Sequence, residues 1–219
     1  MDALLTTLEL KSAPLETRLM CLRGRKYDPA RAAELLPNML DLIKDLGLDK
    51  VTTKLLSDLK TLKIVNLPYT DSSGRGLIWL RLRNHNPSTS TPADMARCVA
   101  FVILRALSSN PDVQRHGICL INDMSSISLG NIQPSAAKFI FARVFPCLPV
   151  RVGRVYIVRP PFIVGNVILP IALRLMSSKL RSRVVQISDP KELEASLPER
   201  PDELDGSTRF DGAGWIASL

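Results

Sequence analysis

Little in this sequence is suited to covalent or metal chemistry. Its 219 residues include two histidines, His85 and His116, and neither stands in an HExxH or similar metal-binding spacing. No GxSxG nucleophile elbow and no Walker phosphate loop occurs. The four cysteines, Cys21, Cys98, Cys119 and Cys147, are 77, 21 and 28 residues apart with no CxxC pair. That spacing excludes the common zinc modules and a dense disulfide framework, and it leaves buried, reduced thiols. Aromatic residues make up only 5%, too few for a base-stacking platform, so nucleic acid is not an expected partner. Long apolar runs are missing too. The longest, Pro160 to Leu173, has 14 residues and three prolines, too short to span a bilayer. The opening Met1-Asp2-Ala3 lacks the cationic start of a secretory signal. Asp123, at the end of a predicted strand, is a lone carboxylate with no acid–base partner and reads as structural. The expectation is a protein that is not an enzyme and has neither cofactor nor metal.

What the chain does have is apolar material and unevenly placed charge. Hydrophobic residues are 46% and charged residues 23%, ample for a core. The net charge of +8 is concentrated. Residues 1–60 are nearly balanced at +1, residues 61–150 carry +5, and residues 189–219 carry −5. The window 151–188 holds seven Lys/Arg and no Asp or Glu, and it also holds the 14-residue apolar run. Cations flanking an apolar segment suit an anionic membrane surface, where basic groups meet headgroups and the apolar side meets acyl chains. A solvated basic face beside a buried element is the plainer alternative.

Apolar spacing places helices at Leu15–Gly24, from Asp28-Pro29 to about Leu46, and from Val51 to about Leu59. Strands are expected at 62–67 and 77–82, with an Asp71-Ser72-Ser73-Gly74 turn between them. Helices at 92–108, 134–145, 165–176 and 191–197 alternate with apolar runs at 117–121, 155–158 and 184–187. The fold class is therefore α/β, an N-terminal helical region followed by a mostly parallel sheet. Residues 1–60 form the helical region, 61–210 the α/β domain and 211–219 a tail.

The order of motifs resembles the CRAL-TRIO lipid-binding family, and within it the tocopherol transfer and retinaldehyde-binding branch. Leu22-Arg23-Gly24-Arg25-Lys26-Tyr27-Asp28 resembles "LRARKFD", and Asp71-Ser72-Ser73-Gly74-Arg75 resembles "DxxGR". Gly117 to Met124 resembles "GxxxIxDL", and Pro134-Ser135-Ala136-Ala137-Lys138 resembles "PSxAK". Lys179 to Val184 resembles "KLxxRI", and Pro201 to Ser207 the closing "LPxxFGGT". The resemblance implies a gate helix within the apolar run and one hydrophobic ligand enclosed between it and the sheet. It implies a pocket lined by Ile118, Leu120 and Asn122 on one strand, Ile140 and Val144 on the next helix, and Phe162, Ile163, Val167, Ile168 and Ile171 on the gate. It also implies a phosphoinositide-binding cleft of Arg151, Arg154, Lys179 and Arg183.

The implied protein is a cytoplasmic, peripherally membrane-associated monomer that carries or senses a retinoid, tocopherol or phospholipid. The alternative is a membrane-targeting adaptor with a vestigial pocket. Three positions depart from the pattern. Val150 stands where the phosphatidylinositol-transferring branch carries Glu, which counts against that cargo. Arg174 replaces a late gate proline, and Asp205 replaces a glycine of the closing motif.

Overall fold

Local signals at the N-terminal end set the first helices. In the computed structural model, which describes residues 13–62, 64–174 and 176–193, α1 spans Leu15–Gly24. The chain then turns through Lys26 and Tyr27, both at left-handed φ (57° and 62°). Asp28 caps α2 (Pro29–Leu46): its carboxylate accepts the Arg31 N–H at 3.1 Å, and Pro29 fills the first helical position, where no N–H is needed. In α2 and α3 (Thr53–Leu62), Leu35, Leu36, Met39, Leu42, Leu55, Leu59 and Leu62 recur at helical spacing and are buried.

Five strands follow: β1 (Val65–Thr70), β2 (Gly76–Arg81), β3 (Ile118–Asp123), β4 (Val152–Val158) and β5 (Val184–Ile187). They form one sheet in the order β1-β2-β3-β4-β5. The β1–β2 pair is antiparallel and the remaining pairs are parallel. Buried Asp71 shapes the first hairpin, accepting the N–H groups of Ser73 and Arg75, both at 2.9 Å, and the Arg75 Nε–H at 2.7 Å. Each parallel crossover moves one strand along in the same direction. Right-handed crossovers of that kind leave their helices on one face of the sheet. These are α4 (Pro92–Ser109), α5 (Pro111–His116), α6 (from Pro134), α7 (162–173) and α8 (Ser178–Arg181).

On the helical face, Ile78, Leu80, Ile118, Leu120, Val155 and Ile157 share one core with the inner sides of α2, α3 and α4. The N-terminal helices and the sheet are thus packed as one body of apolar contacts. On the other face Leu67, Leu77, Trp79, Cys119, Ile121, Tyr156, Val158 and Ile187 form a second buried cluster. Asp123 is wholly buried at the C-terminal end of β3, 3.8 Å from Arg81 and 3.6 Å from Arg83, and accepts the Ser125 N–H and hydroxyl. It pairs with two arginines, a structural role of the kind expected of a lone carboxylate. All four cysteines are free thiols, and burial pushes Cys21, Cys98 and Cys119 up to about 12.

The α4 start is tied to α3. Thr91 and Asp94 exchange capping bonds, the Asp94 N–H to Thr91 Oγ1 at 3.1 Å and the Thr91 N–H to Asp94 Oδ2 at 3.0 Å. Lys54 Nζ donates to Asp94 Oδ1 at 2.9 Å. Burial alone would raise the Asp94 carboxyl, but the bonds from Thr91 and Lys54 outweigh it and bring it down to about 2. A depressed carboxyl stabilises the fold above its unfolded value, and that stability is lost as pH falls from about 4 toward 2. Asp94→Asn should therefore cost about 2 kcal/mol at pH 7 and much less at pH 2.5. Urea unfolding at the two pH values checks this; an equal loss at both would refute it.

Several elements differ from the sequence reading. β1 begins at Val65 rather than 62, because Leu62 is the last residue of α3. The short helices α5 and α8 were not anticipated. The helix expected at 191–197 is a 3₁₀ turn at Pro190–Leu193, and 194–197 lies outside the described residues. The helices expected at 134–145 and 165–176 are each interrupted. α6 starts as Pro134–Phe139, widens into a π-helical turn at Ile140–Val144 and closes with Phe145–Cys147. α7 has a π turn at Val164–Ile168 and then Leu169–Leu173. In both, a proline follows the wide turn by two residues, Pro146 and Pro170. A proline lacks the N–H that the carbonyl four residues earlier would accept, and a one-residue shift of register accommodates that loss.

Candidate functional site

A cavity of about 250 Å³ lies between the sheet and α7. Its floor is Leu80 of β2, Leu120 and Asn122 of β3, and Val155 and Ile157 of β4. Met95 and Val99 of α4 and Ala136, Ala137, Ile140, Phe141 and Phe145 of α6 make the walls. Val164, Ile168, Leu169, Ile171 and Ala172 of α7 close it, with Met176 beyond. No Asp, Glu, Lys or Arg lines it among the described residues. His85 borders it, and burial holds this imidazole below its ordinary pKa, so the ring is neutral at pH 7. Its Nε2–H donates to Gln133 Oε1 at 3.2 Å, a direction fixed because the Gln133 amide is itself donating to Ser90 O.

Of the pocket residues proposed from the sequence, Leu120, Asn122, Ile140, Ile168 and Ile171 line this cavity. Ile118 and Val144 lie on the same faces but beyond it, fully buried in the core. Phe162, Ile163 and Val167 are on the outer side of α7, and Phe162 is 79% exposed. With the exposed Ile171 they give α7 a second apolar face that points away from the protein. A two-faced apolar helix of this kind marks an interaction surface rather than a core element.

The second concavity, about 340 Å³, is basic. Arg151, Lys179 and Arg183 line it, and Arg25, Lys26 and Arg31 join them from the α1–α2 turn and the start of α2. No carboxylate lines it among the described residues. Gly24 lets the turn come this close, since a Cβ there would lie 2.4 Å from Pro149 O. The six cations are not equivalent. Arg151 donates to Arg23 O at 2.9 Å, Arg25 to Pro146 O at 3.0 Å and Arg183 to Val152 O, so these three also clamp the walls. Lys26, Arg31 and Lys179 make no side-chain ion pair with a described residue. Burial first, and then the charge of Arg31, lowers the pKa of Arg25. Arg154 is not part of the cleft. It projects with Tyr156 from the opposite face of β4 and is exposed.

Cavity and cleft share a wall: Phe141, Phe145 and Met176 border both. Val150 is buried beside the cleft, and Arg174 caps the end of α7, its N–H on Ile171 O at 3.1 Å. Asp205 and the closing motif lie outside the described residues. No helix among the described residues is long and apolar enough to cross a membrane.

A family model described as CRAL/TRIO domain matches residues 60–206. Among solved structures, the crystal structure of Sfh5 is similar over 94% of this chain and 78% of its own, with a TM-score of 0.65 and 13% sequence identity. That is a likeness of fold. None of the curated proteins matches the sequence.

Proposed function

Because this chain belongs to the CRAL/TRIO domain family, a family of lipid-binding proteins, we propose that it carries one hydrophobic molecule in the apolar cavity and exchanges it at an anionic membrane. The observation that carries this reading is the uncharged cavity closed by α7, set against an acid-free cleft that shares its wall. Enclosing an apolar cargo gains roughly 25 cal/mol per Å² of its surface. The cleft takes an anionic headgroup, a phosphoinositide by preference, since arginine forks hold phosphate through paired bonds. The outer face of α7, with Phe162, Ile163 and Val167, then meets the acyl region. Opening the gate exposes its inner apolar face as well, so the membrane binds the open state more tightly than the closed one and shifts the population toward it.

The test is mass spectrometry of the purified protein, native and then denatured. A stoichiometric co-purified lipid is the expected result. A protein that is empty, and stays empty after incubation with mixed lipid extracts, would overturn the carrier reading and leave the membrane-targeting adaptor.

A further inference from the structure

The cavity floor is aliphatic except at one point. Asn122 lies at the centre of the sheet, paired with Leu80 on one side and Ile157 on the other. Its carboxamide makes no hydrogen bond with any described residue, and it is only half-buried although its floor neighbours are buried. The other polar side chains of the lining are engaged. Asn131 donates to Arg83 O at 3.1 Å and His85 O at 2.8 Å and accepts from Ser128 at 2.8 Å, and Gln133 is held by His85 and Ser90. His85 Nδ1 also lacks a partner, but it is shut away from any accessible surface. Among the described residues, Asn122 is thus the one uncommitted amide that lines this largely apolar cavity.

A half-buried amide in that position keeps some contact with water in the empty cavity, loses it when an apolar cargo covers it, and is satisfied when the cargo brings a polar atom to it. It offers two donors and one acceptor and no charge. The lining has no cation to neutralise a phosphodiester or carboxylate and no acid to pair with an amine. The cavity, at about 250 Å³, is below the roughly 300–1,000 Å³ usual for drug-sized ligands. We infer that Asn122 sets cargo specificity by bonding a single neutral oxygen, so that the cargo is a compact or single-chain lipid ending in a hydroxyl or carbonyl rather than a two-chain phospholipid. This inference rests on the carrier reading.

The test is a competition assay in which neutral N-phenyl-1-naphthylamine fills the cavity and is displaced by 1-dodecanol, dodecane or dodecanoate. The wild-type protein should prefer dodecanol to dodecane and to dodecanoate. In Asn122→Leu the preference for dodecanol over dodecane should fall about 5- to 10-fold, with dodecane affinity unchanged or higher. Asn122→Ser, which keeps a hydroxyl, should retain part of the preference. Asn122→Leu should unfold at or above the wild-type temperature, because an apolar side chain replaces a half-buried amide that has no bonded partner among the described residues. An alcohol-to-alkane ratio unchanged in Asn122→Leu, or dodecanoate binding better than dodecanol, overturns the inference and leaves the carrier reading intact. Failure of the wild-type protein to bind the reporter or any of the three competitors overturns both.

Discussion

Gly117→Ala should be the most damaging single methyl group in the molecule. Gly117 has φ 92° and ψ −158°, a region open essentially to glycine alone. A Cβ there would lie 2.1 Å from Arg151 O, a backbone atom that cannot swing aside. That same carbonyl accepts the Ile118 N–H at 2.8 Å, and Gly117 O accepts the Gly76 N–H at 3.0 Å, so relief would separate β2, β3 and β4 at their common starting edge. Backbone strain and collision together should cost at least about 4 kcal/mol, the range of exceptional single substitutions. For a chain of this size that corresponds to a fall in Tm of roughly 8–16 °C. Gly130→Ala is the matched control, since its Cβ would meet nothing nearer than Ser128 Oγ at 3.6 Å. Calorimetry that finds Gly117→Ala as stable as Gly130→Ala would refute this account of the β3 start.

The second large effect is on membrane docking. Lys26→Glu with Lys179→Glu should nearly abolish binding to vesicles of phosphatidylcholine containing phosphatidylserine and a phosphoinositide. Neither lysine clamps a wall, so the fold should survive, whereas Arg151 and Arg183 hold carbonyls and are poor choices for reversal. At about 1 kcal/mol for each cation near such a surface, two reversals remove roughly 4 kcal/mol, about a thousandfold in affinity. The neutral pair Lys26→Gln and Lys179→Gln should lose about half of that free energy. Co-sedimentation at rising salt should show the wild-type affinity falling toward that of the reversed pair. Undiminished binding of the reversed pair would place the docking surface elsewhere.

How far the site was legible in the sequence depends on the element. The start and end of α2 were readable because Asp28-Pro29 caps it and its apolar residues recur at helical spacing. β5 was readable because the run Val184–Ile187 is bounded by polar residues. α7 was visible as an apolar run, but its orientation was not. A helix apolar all round has no polar stripe to set its phase, so nothing local separated Phe162, Ile163 and Val167 outside from Val164, Ile168 and Leu169 inside. Strand alternation put Ile118 on the correct face but says nothing about how far along β3 a cavity reaches. Alternation counted back from Val155 would have sent Arg154 to the face opposite the cavity. The cleft was half visible. Net charge over residues 1–60 is nearly zero, and that balance hid Arg25, Lys26 and Arg31, which only folding brings beside Lys179 and Arg183.

The order of the strands has a consequence for how the protein is made. Every strand of the sheet pairs with the one before it in the chain, β1 with β2 and so on to β5. As the polypeptide leaves the ribosome, each new strand meets a finished edge, and no strand must wait for a partner not yet synthesised. One open edge is that of β1 throughout; the other belongs to the newest strand and, up to β4, is covered by the next crossover. α7 precedes the last described strand, so the floor from β1 to β4 can be laid down before the helix that lies over it has been translated.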